Sequence, residues 1–238
     1  MAQLVCENLV LGYEGKPVVE HLSFSVEAGE YWYIIGENGS GKSTLVKALL
    51  RRNPPLSGTI TFDENIRKEI GYLPQQTAVQ RDFPATVREV VSSGCLGKNG
   101  FSPFYSRRSR QTIQENMKRL GIADLAKRSY RELSGGQQQR VLLTRSLCAA
   151  KKMLLLDEPV TGLDPQAQAE LYELIQSLNQ KDGMTILMIS HDVEAAVRYA
   201  THILHVGKTP LFIGAKADYL NSEPGKAFLQ NRMTYQKG

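Results

Sequence analysis

Tyr31-Trp-Tyr-Ile-Ile35-Gly36-Glu-Asn-Gly-Ser-Gly-Lys42-Ser43 decides the fold of this chain. A compact β-rich run ends at Gly36, glycines recur at 39 and 41, and a helical stretch over 42–51 begins at Lys42. Strand, glycine-rich turn and helix in that order make a phosphate-binding loop. Gly36, Gly39 and Gly41 let backbone N–H groups turn inward around a phosphate, and the helix offers its positive N-terminal end. The pattern assigns Lys42 to the β and γ phosphates and the Ser43 hydroxyl to Mg²⁺, with Glu37, Asn38, Ser40 and Thr44 completing the cradle. A chance glycine turn would not carry both flanks.

Downstream, Met153-Leu-Leu-Leu156 is a short buried-strand run that ends at Asp157-Glu158. A carboxylate at the C-terminal edge of such a strand sits where open α/β sheets bind ligands, so Asp157 is a candidate for Mg²⁺. Glu158 points differently from its neighbour and is a candidate to polarise the attacking water. Taken alone, an Asp-Glu pair before Pro159 is more often a polar turn. Thr185-Ile-Leu-Met-Ile189 is a second buried strand, and His191 follows it in Ser190-His191-Asp192. By itself such a histidine is a turn residue.

Around these motifs the chain alternates strand and helix. Leu22, Phe24 and Val26 alternate with polar residues, and 59–62 and 70–73 return to strand. Between Gln75 and Lys151 the pattern is helical, with Ile113, Met117 and Leu120 on one face and Val141, Arg145 and Cys148 on the next helix. Ala167, Leu171, Leu174, Ile175 and Leu178 make an amphipathic helix, and the tail after Ile213 reads as two short helices. The expected fold is α/β, a mostly parallel sheet preceded by an antiparallel β section and carrying a helical lobe.

At 238 residues the chain fits one domain, against a usual ~100–200 residues per domain. Hydrophobic content of 42% is enough for a core, yet no apolar run approaches the ~20 residues of a membrane span. The opening Met1-Ala-Gln-Leu-Val-Cys-Glu7 lacks a charged-then-apolar leader, so the chain is expected to stay where it is made. Cys6, Cys95 and Cys148 have no CxxC spacing and read as reduced thiols. A net charge of +5 is modest and decides nothing between a nucleic-acid partner, an anionic membrane and a plain solvated surface. Aromatics and arginines interleave in Phe101-Ser-Pro-Phe-Tyr-Ser-Arg107-Arg-Ser-Arg110, but three arginines without a stacking fold do not make a single-strand binding surface, and no nucleic-acid partner is expected.

One further string, Leu133-Ser134-Gly135-Gly136-Gln137, lies between the phosphate loop and Asp157. Ser134 is a good N-cap, and two glycines leave the backbone open at the start of a helix whose dipole points outward, which suits a second anion site. The phosphate loop, this string and Leu154-Leu-Leu-Asp157-Glu158, in that order, resemble the ATP-binding cassette family over nearly the whole chain.

That resemblance implies a P-loop NTPase of RecA-like core, residues 1–238 forming one nucleotide-binding domain with a helical subdomain over 78–150, and ATP and Mg²⁺ as its ligands. It implies that His191 holds the γ-phosphate and attacking water, and that Gln75 touches Mg²⁺ and water, with Gln76 beside it leaving the register open. Tyr13 falls where the family sets an aromatic ring on adenine, though it reads also as an ordinary strand-end tyrosine. It implies a head-to-tail, ATP-dependent homodimer in which Ser134, Gly135, Gly136 and Gln137 of one subunit close over the ATP held by Lys42 of another, with Asp164 in a loop communicating between the sites.

Residues 81–90, 101–110 and 158–164 are similar to the ATP-binding subunits of bacterial zinc and manganese importers, with siderophore importers as near neighbours. The partners so implied are integral membrane permease subunits and, indirectly, an extracytoplasmic metal-binding protein, and the place is cytoplasmic, peripheral on the inner face of the cell membrane. A soluble cassette ATPase outside transport is the other reading. Such proteins typically carry two cassettes or a long coiled-coil insertion, and this chain has one set of motifs.

Overall fold

The computed structural model describes residues 2–64, 66, 70–76, 82–98, 105–150 and 152–235, with side chains to 229. Its contacts divide it into two compact units, Met1–Arg67 with Thr185–Gly238, and Lys68–Met184.

In the first unit β1 (Ala2–Tyr13) and β2 (Lys16–Glu27) form an antiparallel hairpin, and β4 (Ser57–Phe62) pairs with the other edge of β1. The hairpin turns at Glu14 and Gly15, both at positive φ (50° and 76°), the twist that joins antiparallel strands in a two-residue loop. The alternation at Leu22, Phe24 and Val26 is realised, since these three are buried and the residues between them exposed. β3 (Tyr31–Ile35) is buried along its whole length because it has parallel neighbours on both sides, β7 (Thr185–Ile189) and β8 (His202–His205). β9 (Phe212–Ala215) then pairs antiparallel to β8. The Thr185 hydroxyl accepts from Gly29 N at 2.9 Å and donates to Gln3 Oε1 at 2.6 Å, tying the hairpin to the start of β7. Helix Lys42–Leu49 follows β3, and helices Lys216–Asn221 and Glu223–Tyr235 close the chain. The last runs 13 residues, longer than the short helix the tail suggests.

The second unit pairs β5 (Ile70–Leu73) parallel to β6 (Met153–Asp157) and surrounds them with helices Val87–Ser92, Arg107–Arg119, Gly135–Ala149 and Pro165–Asp182. Thr86 starts the first with a capping box closed by Glu89, and Ser106 caps the second. Helix Gly135–Ala149 is the hub of this unit. A Cβ on Gly71 would lie 2.4 Å from the Ser146 carbonyl and one on Gly94 2.1 Å from that of Arg145, so β5 and the 3₁₀ turn Ser93–Lys98 both press on the backbone of its C-terminal half. The helix buries polar as well as apolar side chains, Gln138, Gln139, Thr144 and Ser146 among them.

Candidate active site: a phosphate loop and a capped signature helix

The phosphate loop springs from the buried end of β3. Gly36 and Gly41 are glycines for want of room: a Cβ on Gly36 would lie 2.5 Å from the Val206 carbonyl, and one on Gly41 2.3 Å from Val19 Cγ2. Gly41 also sits at φ 101°, directly before helix Lys42–Leu49. Glu37, Asn38, Gly39 and Ser43 are exposed, and nothing lies within 4 Å of where a Gly39 Cβ would stand. Lys42 is buried, its Nζ donating to the carbonyls of Gly36 and Glu37 at 2.8 Å each. Ser40 Oγ is buried without a hydrogen-bond partner. An open rim, an ammonium turned on the loop itself and an orphaned hydroxyl suit a ligand rich in acceptor oxygens.

Tyr13, at the end of β1, is 43% exposed. Its hydroxyl accepts from Thr44 Oγ1 at 3.4 Å and from Lys47 Nζ at 3.3 Å, and Lys47 Nζ stands 5.3 Å from the ring centroid. The hydrogen bond from Thr44 leads in lowering the phenol below its ordinary value; burial opposes it, and Lys47 assists. The ring is thus anchored to the helix that follows the loop while keeping a solvent-exposed surface.

His191 lies past the end of β7, partly buried, directly before Asp192, whose side chain caps helix Val193–Tyr199 by accepting from Ala195 N at 3.0 Å. The Ser190 hydroxyl accepts from Asp192 N at 3.1 Å, so the turn carrying His191 is fixed on both sides.

In the second unit Asp157 ends β6, its Oδ2 accepting from Tyr72 OH at 3.4 Å. Glu158 has φ 50°, a left-handed conformation that a non-glycine residue holds only where its surroundings over-determine it. Thr161 Oγ1 donates to Glu158 Oε2 at 3.2 Å. Gln75 follows β5 and is exposed, whereas Gln76 is occupied: its Nε2 donates to Tyr130 OH at 2.9 Å and to Gln138 Oε1 at 3.0 Å. Of the two glutamines, Gln75 is the one left facing solvent.

Ser134 caps helix Gly135–Ala149 in a reciprocal box with Gln137, whose backbone N–H it accepts at 3.3 Å while Gln137 Oε1 accepts from Ser134 N at 3.1 Å. A cavity of about 390 Å³ opens on this helix start, lined by Ser134, Gly136, Gln137, Arg140, Asp164 and Glu170 among others, and Arg140 pairs with Glu170 across it. The two glycines do more than leave the backbone open. A Cβ on Gly136 would stand 2.9 Å from Ala167 Cβ, so it also brings two helices together, and one on Gly135 would stand 3.3 Å from Leu163 Cδ2 in the turn before the second helix. Asp164 is the N-cap of helix Pro165–Asp182, accepting from Ala167 N at 3.0 Å.

The ABC transporter family model matches residues 19–161, which takes in the phosphate loop, the Ser134 string and Asp157-Glu158. The chain belongs to the ABC transporter family. It is 36% identical over 219 residues to the zinc uptake system ATP-binding protein ZurA of Listeria innocua, covering 89% of this chain and 85% of that one. It is 34% identical over 235 residues to the manganese transport system ATP-binding protein MntB of Bacillus subtilis, covering 97% and 94%. Among solved structures, an inward-facing ABC transporter described as of metal-chelate type superposes with a TM-score of 0.85 at 30% identity, covering 96% of this chain and 89% of that one. As an ABC ATPase the chain binds and hydrolyses ATP to power a membrane transporter, together with membrane permease subunits. No helix among the described residues is long and apolar enough to cross a membrane.

Residues 77–81, with Arg81, and 99–104 lie outside the described part, so the segments 81–90 and 101–110 are seen only from Asp82 and Tyr105 onward. Among the described residues no group of three or more His, Cys, Asp or Glu is placed to hold a metal. Mg²⁺ does not ask for one, because it keeps waters and phosphate oxygens and takes only one or two protein oxygens. Ser43, exposed in the first unit, and Asp157, at the end of β6 in the second, each carry side-chain oxygens.

Proposed function

We propose that this ABC ATPase drives the import of a divalent transition metal, zinc or manganese, through separate permease subunits. The similarity to ZurA and MntB over nearly the whole chain carries this reading. No residue described above would touch the cargo, whose recognition falls to the permease and to an extracytoplasmic binding protein. The chain itself works in the cytoplasm, peripheral on the inner face of the membrane. A second reading, import of a chelated metal such as a siderophore complex, is favoured by the likeness to the metal-chelate type transporter.

Within one domain over 1–238, with a helical subdomain over 78–150, each motif has a role toward ATP. Gly36, Glu37, Asn38, Gly39, Ser40, Gly41 and Thr44 cradle the phosphates, Lys42 compensates the β and γ charges, and Tyr13 lies on adenine. Ser43, Asp157 and Gln75 are the groups for Mg²⁺, which supplies charge neutralisation on the phosphate oxygens. Glu158 takes the proton of the attacking water, and His191 holds that water and the γ-phosphate. Ser134, Gly135, Gly136 and Gln137, with Asp164, serve the ATP of a second copy in a head-to-tail homodimer. The exposed Phe83, at 56%, sits in the segment proposed to meet a short cytoplasmic helix of the permease.

Uptake of labelled zinc and manganese by cells lacking the chain tests the cargo. Both should fall, growth in a chelator should recover with added zinc, and restoration by Lys42→Ala should fail. Normal zinc and manganese uptake with collapsed siderophore uptake would move the assignment to the second reading.

A further inference from the structure

Helix Gly135–Ala149 buries two consecutive glutamines, Gln138 at 4% exposure and Gln139 at 1%. Buried amides demand partners, and these two find theirs at two telling places. Gln139 Nε2 donates to the carbonyl of Pro159 at 2.6 Å, and Pro159 follows Glu158. Gln138 Oε1 accepts from Gln76 Nε2 at 3.0 Å, and Gln76 follows Gln75. Gln138 Nε2 donates to the Tyr130 carbonyl at 3.2 Å, and Tyr130 OH accepts from Gln76 at 2.9 Å, so this second grip is braced from the 3₁₀ turn Tyr130–Glu132.

The orientation of the Gln139 amide is not free. Turned over, it would set its oxygen against the Pro159 carbonyl at 2.6 Å, acceptor on acceptor. Held as it is, Gln139 leaves its own Oε1 buried without a hydrogen-bond partner. A helix that needed only filling would carry leucine or methionine here and avoid that orphan. What the residue supplies is its donor, and the donor fixes the peptide on the far side of Glu158, the non-glycine residue of this strand–turn that sits at positive φ.

We propose that Gln138 and Gln139 are paired positioning residues through which the helix beginning at Ser134 sets both Gln75 and Glu158. This rests on the roles given above to Ser134, Gln75 and Glu158. A helix start that feels the partner's ATP then reports, within its first turn and a half, to the base and the metal-facing glutamine that serve the chain's own ATP. Neither glutamine touches nucleotide.

The test is made on the full chain with Gln139→Met, Gln138→Met and Tyr130→Phe. Each should leave the ATP dissociation constant within twofold. Either methionine variant should lower kcat about tenfold, the factor that one lost hydrogen bond of ordinary strength gives. Tyr130→Phe, which keeps the ring and guards against a fold defect in the others, should lower kcat by a smaller factor. Because Gln139 acts through Glu158, adding Gln139→Met to Glu158→Gln should not reduce the residual rate further. Loss of affinity in parallel with kcat, an undiminished kcat in all three, or the same tenfold loss in the Glu158→Gln background would overturn the proposal. Ser134→Arg separates it from its foundation. If that substitution leaves hydrolysis intact the shared-site reading fails, whereas silent glutamine variants beside a dead Ser134→Arg refute only the positioning pair.

Discussion

Lys42 Nζ donates to the carbonyl oxygen of Gly36 at 2.8 Å, six residues back along the same loop. With the matching bond to Glu37 this holds the ammonium buried against the loop's own backbone. In the role proposed for Lys42, ATP would exchange those carbonyls for phosphate oxygens, which are stronger acceptors because they are charged.

Lys42→Ala should therefore lose ATP affinity heavily. Hydrogen bonds to charged groups contribute about 1.5–3 kcal/mol each, so a single one lost costs roughly ten- to a hundredfold in dissociation constant. Equilibrium binding of a fluorescent ATP analogue measures this. Affinity within threefold of wild type would remove Lys42 from the phosphate site.

Glu158→Gln should bind Mg-ATP as wild type does and lose hydrolysis by about 10²–10⁴-fold, the usual cost of a missing general base. The amide keeps an acceptor for Thr161, so the turn survives. Trapped before hydrolysis, the variant should sediment as a dimer with Mg-ATP and as a monomer without it. Hydrolysis within a few fold of wild type would assign the base elsewhere.

The glycines of the signature string make a sharper test of packing. Gly136→Ala drives a methyl to 2.9 Å from Ala167 Cβ, which has no flexible end to swing away, and should destabilise by about 1–3 kcal/mol. Gly135→Ala meets only the movable tip of Leu163 at 3.3 Å and should cost under about 1 kcal/mol. Denaturant midpoints rank the two. Equal stabilities would mean that helices Gly135–Ala149 and Pro165–Asp182 yield freely at this crossing.

These motifs were legible because their chemistry fixes residue types at short spacing. The phosphate loop, Asp157, Glu158 and the Ser134 cap each lie within a few residues of the feature that explains them. What the sequence hid depends on distant partners. Gln138 and Gln139 are polar side chains at helical positions, yet they are buried, with Gln76, Tyr130 and Pro159 as their hydrogen-bond partners. β8 and β9 are four residues each, too short for periodicity to mark, and the histidines that begin and end β8 interrupt its apolar run. That Gln76 is occupied depends on Tyr130, more than fifty residues away.

His205, hidden in that way, gives the last prediction. It is 5% exposed at the end of β8, its Nδ1 lies 3.0 Å from Tyr219 OH, and the Phe228 ring meets it edge-on at 5.0 Å. Burial holds its pKa below the ordinary value, Lys42 adds to the depression, and Glu37 opposes it. A free histidine titrates near about 6.5. Above that pH both folded and unfolded chains hold His205 neutral and it adds no pH dependence. As pH falls through that value the unfolded chain takes up the proton and the folded one resists, so stability is lost, by at most about 1.4 kcal/mol per pH unit for the single proton, until the lower folded pKa is passed. Urea midpoints of the wild type between pH 7.5 and 5.5 should therefore fall more steeply than those of His205→Phe, which cannot titrate. The same slope in both would show that His205 charges as readily inside the fold as outside it.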